Sequence, residues 1–125
     1  MQRVLNYIES QPLVQAEIMY FLYDYFSGFP TIECKYKFRV PFYYQKTWVC
    51  YTSPKKTGAV ELVFVRGREL LDSPHLHANG RKMAKGIMYQ SVDEISLDIL
   101  EPIVYEALEL DRTTPYTFQK HKSKS

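Results

Sequence analysis

"TIECKYKFRVPFYY", residues 31–44, decides how the chain is read. Its side chains alternate with a period of two, the signature of a strand with one packed face and one wet face. On that reading Ile32, Cys34, Tyr36, Phe38, Val40 and Phe42 point one way. Glu33, Lys35, Lys37, Arg39, Pro41 and Tyr43 point the other way. Half-buried strands of this kind belong to antiparallel sheets. Pro41 has no N–H to give a ladder, which places it at an edge or a bulge.

Working outward, "VLNYIESQPLVQAEIMYFLYDYFSGFP" before it reads as two helices, one near residues 2–10 and one from about Pro12 to Phe26. Pro suits a first helical turn and disfavours a helical residue before it. Leu13, Ala16, Tyr20, Tyr23 and Ser27 form a stripe on the second helix, broadened by Met19, Phe21 and Leu22. Gly28 suits a C-cap and Pro30 a stop. After the opening strand, Gln45-Lys46 reads as a two-residue turn and "TWVCYT" as a second strand. "SPKKTG" is a loop and "AVELVFV" a third strand. "RELLDSPHLHANG" is an irregular crossover and "RKMAKGIMYQ" a fourth strand. Ser91 and Glu94 have capping-box spacing. The next stretch, "SLDILEPIVYEALELD", is amphipathic. Leu100, Ile103, Val104, Ala107 and Leu110 lie opposite Asp98, Glu101, Glu106 and Glu109. The expected fold class is α+β: a single antiparallel sheet of four to five strands, with N- and C-terminal helices packed on one face. The other face is left to solvent or a partner. Residues 1–111 form one domain, and 112–125 read as a basic C-terminal tail.

The 125 residues suit one domain with one core. They include 11 Tyr, 7 Phe and 1 Trp, a composition that favours sheet surfaces. Net charge is only +2, but it is unevenly spread. Residues 33–90 hold eleven Lys and Arg against Glu33, Glu61, Glu69 and Asp72, leaving +7. Residues 91–111 hold seven carboxylates and no base, leaving −7. No apolar run approaches the roughly 20 residues of a membrane span, and the N-terminus lacks a signal-peptide pattern. With two cysteines there is no disulfide framework, and a cytoplasmic location is expected.

"KYKFRVPFYY", "VCY", "VELVFVRGREL", "GRKMAKGIMYQSVDEI" and "VYEAL", in that order, resemble the YdhG-like family of small bacterial domains over residues 1–111. The resemblance implies an α+β domain with a frataxin-like arrangement. Most members have no assigned activity, and one branch is described as a frataxin-like intracellular iron chaperone. Iron as a cofactor therefore enters only through the resemblance. Binding of that type uses acidic residues on the first helix and the adjoining strand. Here those elements offer Glu9, Glu17 and Asp24, and Glu33 amid Lys35, Lys37 and Arg39. The acidic stripe instead lies on the last helix, where Asp98, Glu101, Glu106 and Glu109 are weak metal-ligand candidates and a solvated face is the plainer reading.

Other chemistry finds little support. His75 and His77 are two ligands where structural zinc takes four. In the two-residue-turn register Cys50 lies opposite position 41, about 23 Å from Cys34, too far for a disulfide or a shared metal. The cysteines lack a catalytic signature, "GRKMAKG" lacks P-loop spacing, and no nucleophile elbow is present. No catalytic residue is assigned, and enzymatic activity is not what the sequence points to. The sharpest lead is the basic row Lys35, Lys37 and Arg39, joined in that register by Tyr43 and Trp48. Cations beside aromatics on an open sheet can hold phosphates and stack bases. Cations on a wet strand face also simply guard against aggregation. The leading expectation is a non-enzymatic binding or accessory domain that contacts a protein partner or a second copy through the open face. The alternatives are an iron-binding chaperone and an anion or single-stranded nucleic-acid binder.

Overall fold

Two helices, a five-stranded meander and a final helix make up the fold, in the computed structural model, which describes residues 2–71 and 73–114. Helices α1 (Gln2–Glu9) and α2 (Leu13–Ser27) precede strands β1 (Glu33–Lys37), β2 (Val40–Tyr44), β3 (Trp48–Pro54), β4 (Val60–Phe64) and β5 (Lys85–Tyr89). Helix α3 (Leu97–Thr113) comes last. Neighbouring strands pair antiparallel in the order β1-β2-β3-β4-β5. The α+β class and the single sheet are as expected. Helix α3 runs two residues into the stretch read as a tail, and residues 115–125 lie outside the described residues.

All three helices cover one face of the sheet. Val4 and Ile8 of α1, Ile18, Met19, Leu22 and Phe26 of α2, and Leu100, Ile103, Val104 and Ala107 of α3 share a core with Cys34, Tyr43, Cys50, Leu62, Phe64 and Tyr89. Each large apolar side chain buried there contributes roughly 1.5–3 kcal/mol. The buried stripe of α2 is Gln15, Ile18, Met19, Leu22 and Phe26, not the Leu13, Ala16, Tyr20, Tyr23 and Ser27 line. Leu13 is 74% and Tyr20 55% exposed. The two stripes differ by one residue, a 100° rotation. "LVQAEIMYFLYDYFS" is apolar nearly all round, so periodicity does not choose between them. The choice is made by Gln15, whose amide donates to the Lys55 and Ala59 carbonyls at 2.8 and 2.9 Å and so ties α2 to the β3–β4 loop.

The stretch read as one long strand is a hairpin. Lys37 pairs with Val40, and Phe38 and Arg39 form a two-residue turn with φ of 53° and 67°. Two positive φ values give a type I′ turn, which usually takes Asn-Gly. The hairpin supplies the fifth strand. Pro41 sits inside β2 rather than at a sheet edge, but the β2–β3 ladder begins only at Phe42↔Tyr51, so its missing N–H falls beyond the ladder end.

The β2–β3 turn also differs from the two-residue expectation. Gln45, Lys46 and Thr47 lie between the paired Tyr44 and Trp48, and the register shifts at Val49, which is buried. Asp111 of α3 anchors this turn. Its carboxylate accepts the Lys46 N–H at 2.7 Å, the Thr47 N–H at 3.0 Å, the Gln45 amide at 2.9 Å and the Thr47 hydroxyl. Leu110, expected on the apolar face of α3, is only half-buried, and Asp111 takes the buried place beside it. At the other end of α3, Ser96 is the N-cap residue. Glu94 accepts the Gln90 N–H at 2.7 Å from a short 3-10 turn, and Ser91 makes no side-chain cap bond. The capping-box spacing therefore marks that turn and not the helix start.

Candidate functional site

Chain reversal at Phe38-Arg39 decides which residues share the outward face of the sheet. Odd positions of β1 pair with even positions of β2: Glu33↔Tyr44, Lys35↔Phe42, Lys37↔Val40. Side-chain parity thus switches across the turn. Lys35 and Lys37 face outward, as the alternation predicts, with Phe42 and Tyr44 beside them. Arg39 stands at the hairpin tip rather than in a row with them. Tyr43, expected beside the cations, points into the core, is 1% exposed and lies 4.4 Å ring to ring from Phe26. Trp48 does face outward, paired with Tyr44 instead of Tyr43, because of the three-residue turn and the shift at Val49.

The outward side of β1–β3 carries a continuous aromatic cluster. Phe42 is its centre, with ring centroids 5.6 Å from Phe38, 5.0 Å from Trp48 and 4.7 Å from Tyr51. Tyr44 lies 5.0 Å from Trp48. Phe42 is buried by these neighbours although it lies outside the main core, while Phe38 is 76% exposed. The Lys35 ammonium sits 4.7 Å above the Tyr44 ring and 3.8 Å from Glu33. Among the described residues Lys37 and Arg39 have no ion-pair partner. Sequence reasoning missed Phe38, Phe42, Tyr44 and Tyr51, because each depends on a turn that carries no glycine or asparagine to announce it.

On the β4–β5 half of the same face the crossover residues Asn79 and Arg81 cover Glu61, while Met88 beside it is 42% exposed. Glu61, 1% exposed, faces outward between Ser53 and Met88. Arg81 holds its carboxylate at 2.6 and 3.3 Å, Asn79 at 2.8 Å and Lys55 at 3.1 Å. Burial alone would raise the Glu61 pKa, but these partners outweigh it and hold the carboxyl below its ordinary range. Gly86 makes room, since a Cβ there would meet a Glu61 oxygen at 2.3 Å. Tyr51 joins the two halves. Burial raises its pKa, and nearby Arg81 partly restores it. A lone carboxylate inside "AVELVFV" is the sequence signal for this cluster.

The acidic stripe on α3 is divided among separate tasks. Glu101 lies near the Tyr25 hydroxyl, whose pKa is raised by burial first and by that carboxylate second. Glu106 accepts the Leu71 N–H at 2.6 Å, Glu109 pairs with Arg112 at 2.6 Å, and Asp98 is exposed. Arg112 holds Glu109 below the usual carboxylate range. Among the described residues no three His, Cys, Asp or Glu converge on a common point, His75 and His77 included.

Cys34 and Cys50 are much closer than the single-strand reading implies. Both flank Tyr43, in the register Cys34↔Tyr43↔Cys50 across three strands, which puts them about 10 Å apart. Both are free and buried. Burial pushes Cys34 up to about 12 and Cys50 well above its ordinary value. Thiols held neutral in this way are poor nucleophiles.

No family model matches the sequence, and no curated protein matches it. The structure is similar to the crystal structure of a protein of the DUF1801 family, YdhG, from Bacillus subtilis. The TM-score is 0.60 and the identity 12%, over 93% of this chain and 98% of that one. The likeness is one of fold, and it matches the arrangement that the five sequence motifs imply. Among the described residues no helix is long and apolar enough to cross a membrane.

Proposed function

We propose that this chain, which shares its fold with YdhG, is a non-enzymatic binding domain whose contact surface is the outward side of β1–β3. One observation carries the reading. Phe38, Phe42, Tyr44, Trp48 and Tyr51 form a contiguous ring cluster on the sheet face opposite the one that the helices pack against among the described residues. A wet face needs only polar side chains, whereas this one presents the exposed ring of Phe38 and the half-buried Tyr44, Trp48 and Tyr51 around a buried Phe42, bordered by Lys35, Lys37 and Arg39. Contiguous exposed apolar surface with a polar rim is characteristic of interaction sites. The cations make an anionic partner the best fit.

Trp48 is the only tryptophan, so its fluorescence reports on this face alone. Titration with linear polyphosphate, read by that signal and by backbone amide shifts, is the test. Saturable changes confined to β1–β3 and the hairpin tip are expected. Absence of any change there counts against the reading. An iron(II) titration that perturbs α3 around Asp98, Glu101, Glu106 and Glu109 instead would replace it with the chaperone reading.

A further inference from the structure

We infer that the occupant of this face is single-stranded nucleic acid, with bases stacked on Phe38 and Trp48 and phosphates held by Lys35, Lys37 and Arg39. The inference rests on the contact-surface reading above and names its ligand.

The hairpin tip is the first argument. A two-residue turn with positive φ at both positions favours Asn-Gly, and an aromatic residue there is an outlier. Strain of this kind survives where the rest of the structure over-determines it, and it clusters at functional sites. Here the strained residue is an exposed ring. Phe38, at the hairpin tip, is 76% exposed and meets the Phe42 ring in an edge contact, with 66° between the ring planes. Its faces are open to another flat ring.

Geometry and charge supply the second argument. The cluster lies across three adjacent strands, a width of about 10 Å. A single strand with splayed bases can lie along such a surface. A duplex keeps its base faces stacked inside and cannot use the rings. A small anion would need an enclosed nest of donors, which an open sheet face does not build. Among the described residues around the rings, Glu61 is ion-paired with Arg81 and Lys55, Lys37 and Arg39 have no ion-pair partner, and Lys35, 3.8 Å from Glu33, keeps 46% of its side-chain surface exposed to meet a phosphate. Stacking on aromatics inside a basic groove tolerates any base, because every base has a π-face.

Three probes separate this inference from the broader reading: an oligo(dT) of about 12 nucleotides, within the usual range for such sites, an abasic deoxyribose-phosphate chain of equal length, and linear polyphosphate. With the full chain, oligo(dT) is expected to quench Trp48 saturably and to bind roughly tenfold or more tighter than the abasic chain. The logarithm of the binding constant should fall against the logarithm of salt with a slope of about −2, for three phosphate contacts on a single strand. Phe38→Ala should weaken oligo(dT) roughly tenfold and leave the abasic chain unchanged, while Phe38→Tyr retains binding. Lys37→Glu should weaken both. If the abasic chain and polyphosphate bind as tightly as oligo(dT), the surface is an anion site and the nucleic-acid inference is overturned. Duplex DNA binding as tightly as the single strand overturns it as well. If no probe moves Trp48, both readings fall.

Discussion

Glu61 and Arg81 form a two-pronged pair, 2.6 and 3.3 Å long, on the side of the sheet away from the main core. The carboxylate is 1% exposed, whereas the guanidinium keeps 27% of its side-chain surface and Lys55 keeps 34%. That asymmetry decides which partner matters. Without Arg81, a buried charge loses two of its hydrogen bonds. Without Glu61, both cations can turn to water. Removing one partner of a buried pair costs about 3–5 kcal/mol, and replacing the buried member by an apolar side chain of similar volume is often neutral. Arg81→Ala is therefore expected to cost about 3 kcal/mol and Glu61→Met less than half of that. Denaturant unfolding of both variants checks the order.

The same cluster predicts an acid response. Glu61 has its folded pKa depressed below the ordinary carboxylate value. Its contribution is therefore fully present above that ordinary value and is lost as pH falls through the folded one. Urea midpoints measured between about pH 6 and 2 should fall less steeply for Glu61→Gln than for the parent. Equal slopes would show that the carboxylate is not held ionised by Arg81 and Lys55.

Gly86 is expected to tolerate no side chain, because an added Cβ meets the Glu61 oxygen at 2.3 Å and that oxygen is fixed by Arg81 and Asn79. Overpacking of this kind costs about 1–3 kcal/mol. A thermal melt of Gly86→Ala should show it. Combining it with Glu61→Gly should recover part of the loss, since the clash is with that one side chain.

Helix order, strand content and the packed face of α3 can be read in the sequence, because Leu100, Ile103, Val104 and Ala107 keep strict helical spacing. The hairpin at Phe38-Arg39 cannot. The alternation of "ECKYKFRVPFYY" runs through the turn unbroken, and neither turn residue is one that favours positive φ. Missing that turn sends Tyr43 to the wrong face and hides Phe42 and Tyr44. It also stretches Cys34 and Cys50 to more than twice their separation. The basic side of β1 survives the error, because parity within Glu33–Lys37 is independent of the turn beyond it. Lys35 and Lys37 are therefore legible in the sequence while their aromatic neighbours are not.

Asp111 gathers four donors from Gln45, Lys46 and Thr47 and so holds the β2–β3 turn that sets Trp48 opposite Tyr44. Asp111→Ala leaves two backbone N–H groups of that turn without their acceptor, at about 1–3 kcal/mol each before water re-enters. A net loss of about 3 kcal/mol is expected. Trp48 fluorescence should also shift in the still-folded variant, as the turn relaxes. An unchanged spectrum would mean that the turn holds its shape without the carboxylate.

The Phe38-Arg39 turn allows a test of strain against function. Positive φ costs an L-residue about 1–2 kcal/mol, and two such residues stand there. The double variant Phe38→Asn, Arg39→Gly suits a type I′ turn and relieves most of this cost. It forfeits the Phe38–Phe42 edge contact, worth about 0.5–1.5 kcal/mol. Relief is the larger effect, so the variant should be more stable than the parent by about 1 kcal/mol while losing most of its affinity for oligo(dT). Thermal unfolding and Trp48 titration on the same sample read both quantities. Gained stability with unchanged binding would assign Phe38 to the turn alone. Lost stability would mean that the contact with Phe42 outweighs the backbone strain, and that the exposed ring is held there by packing.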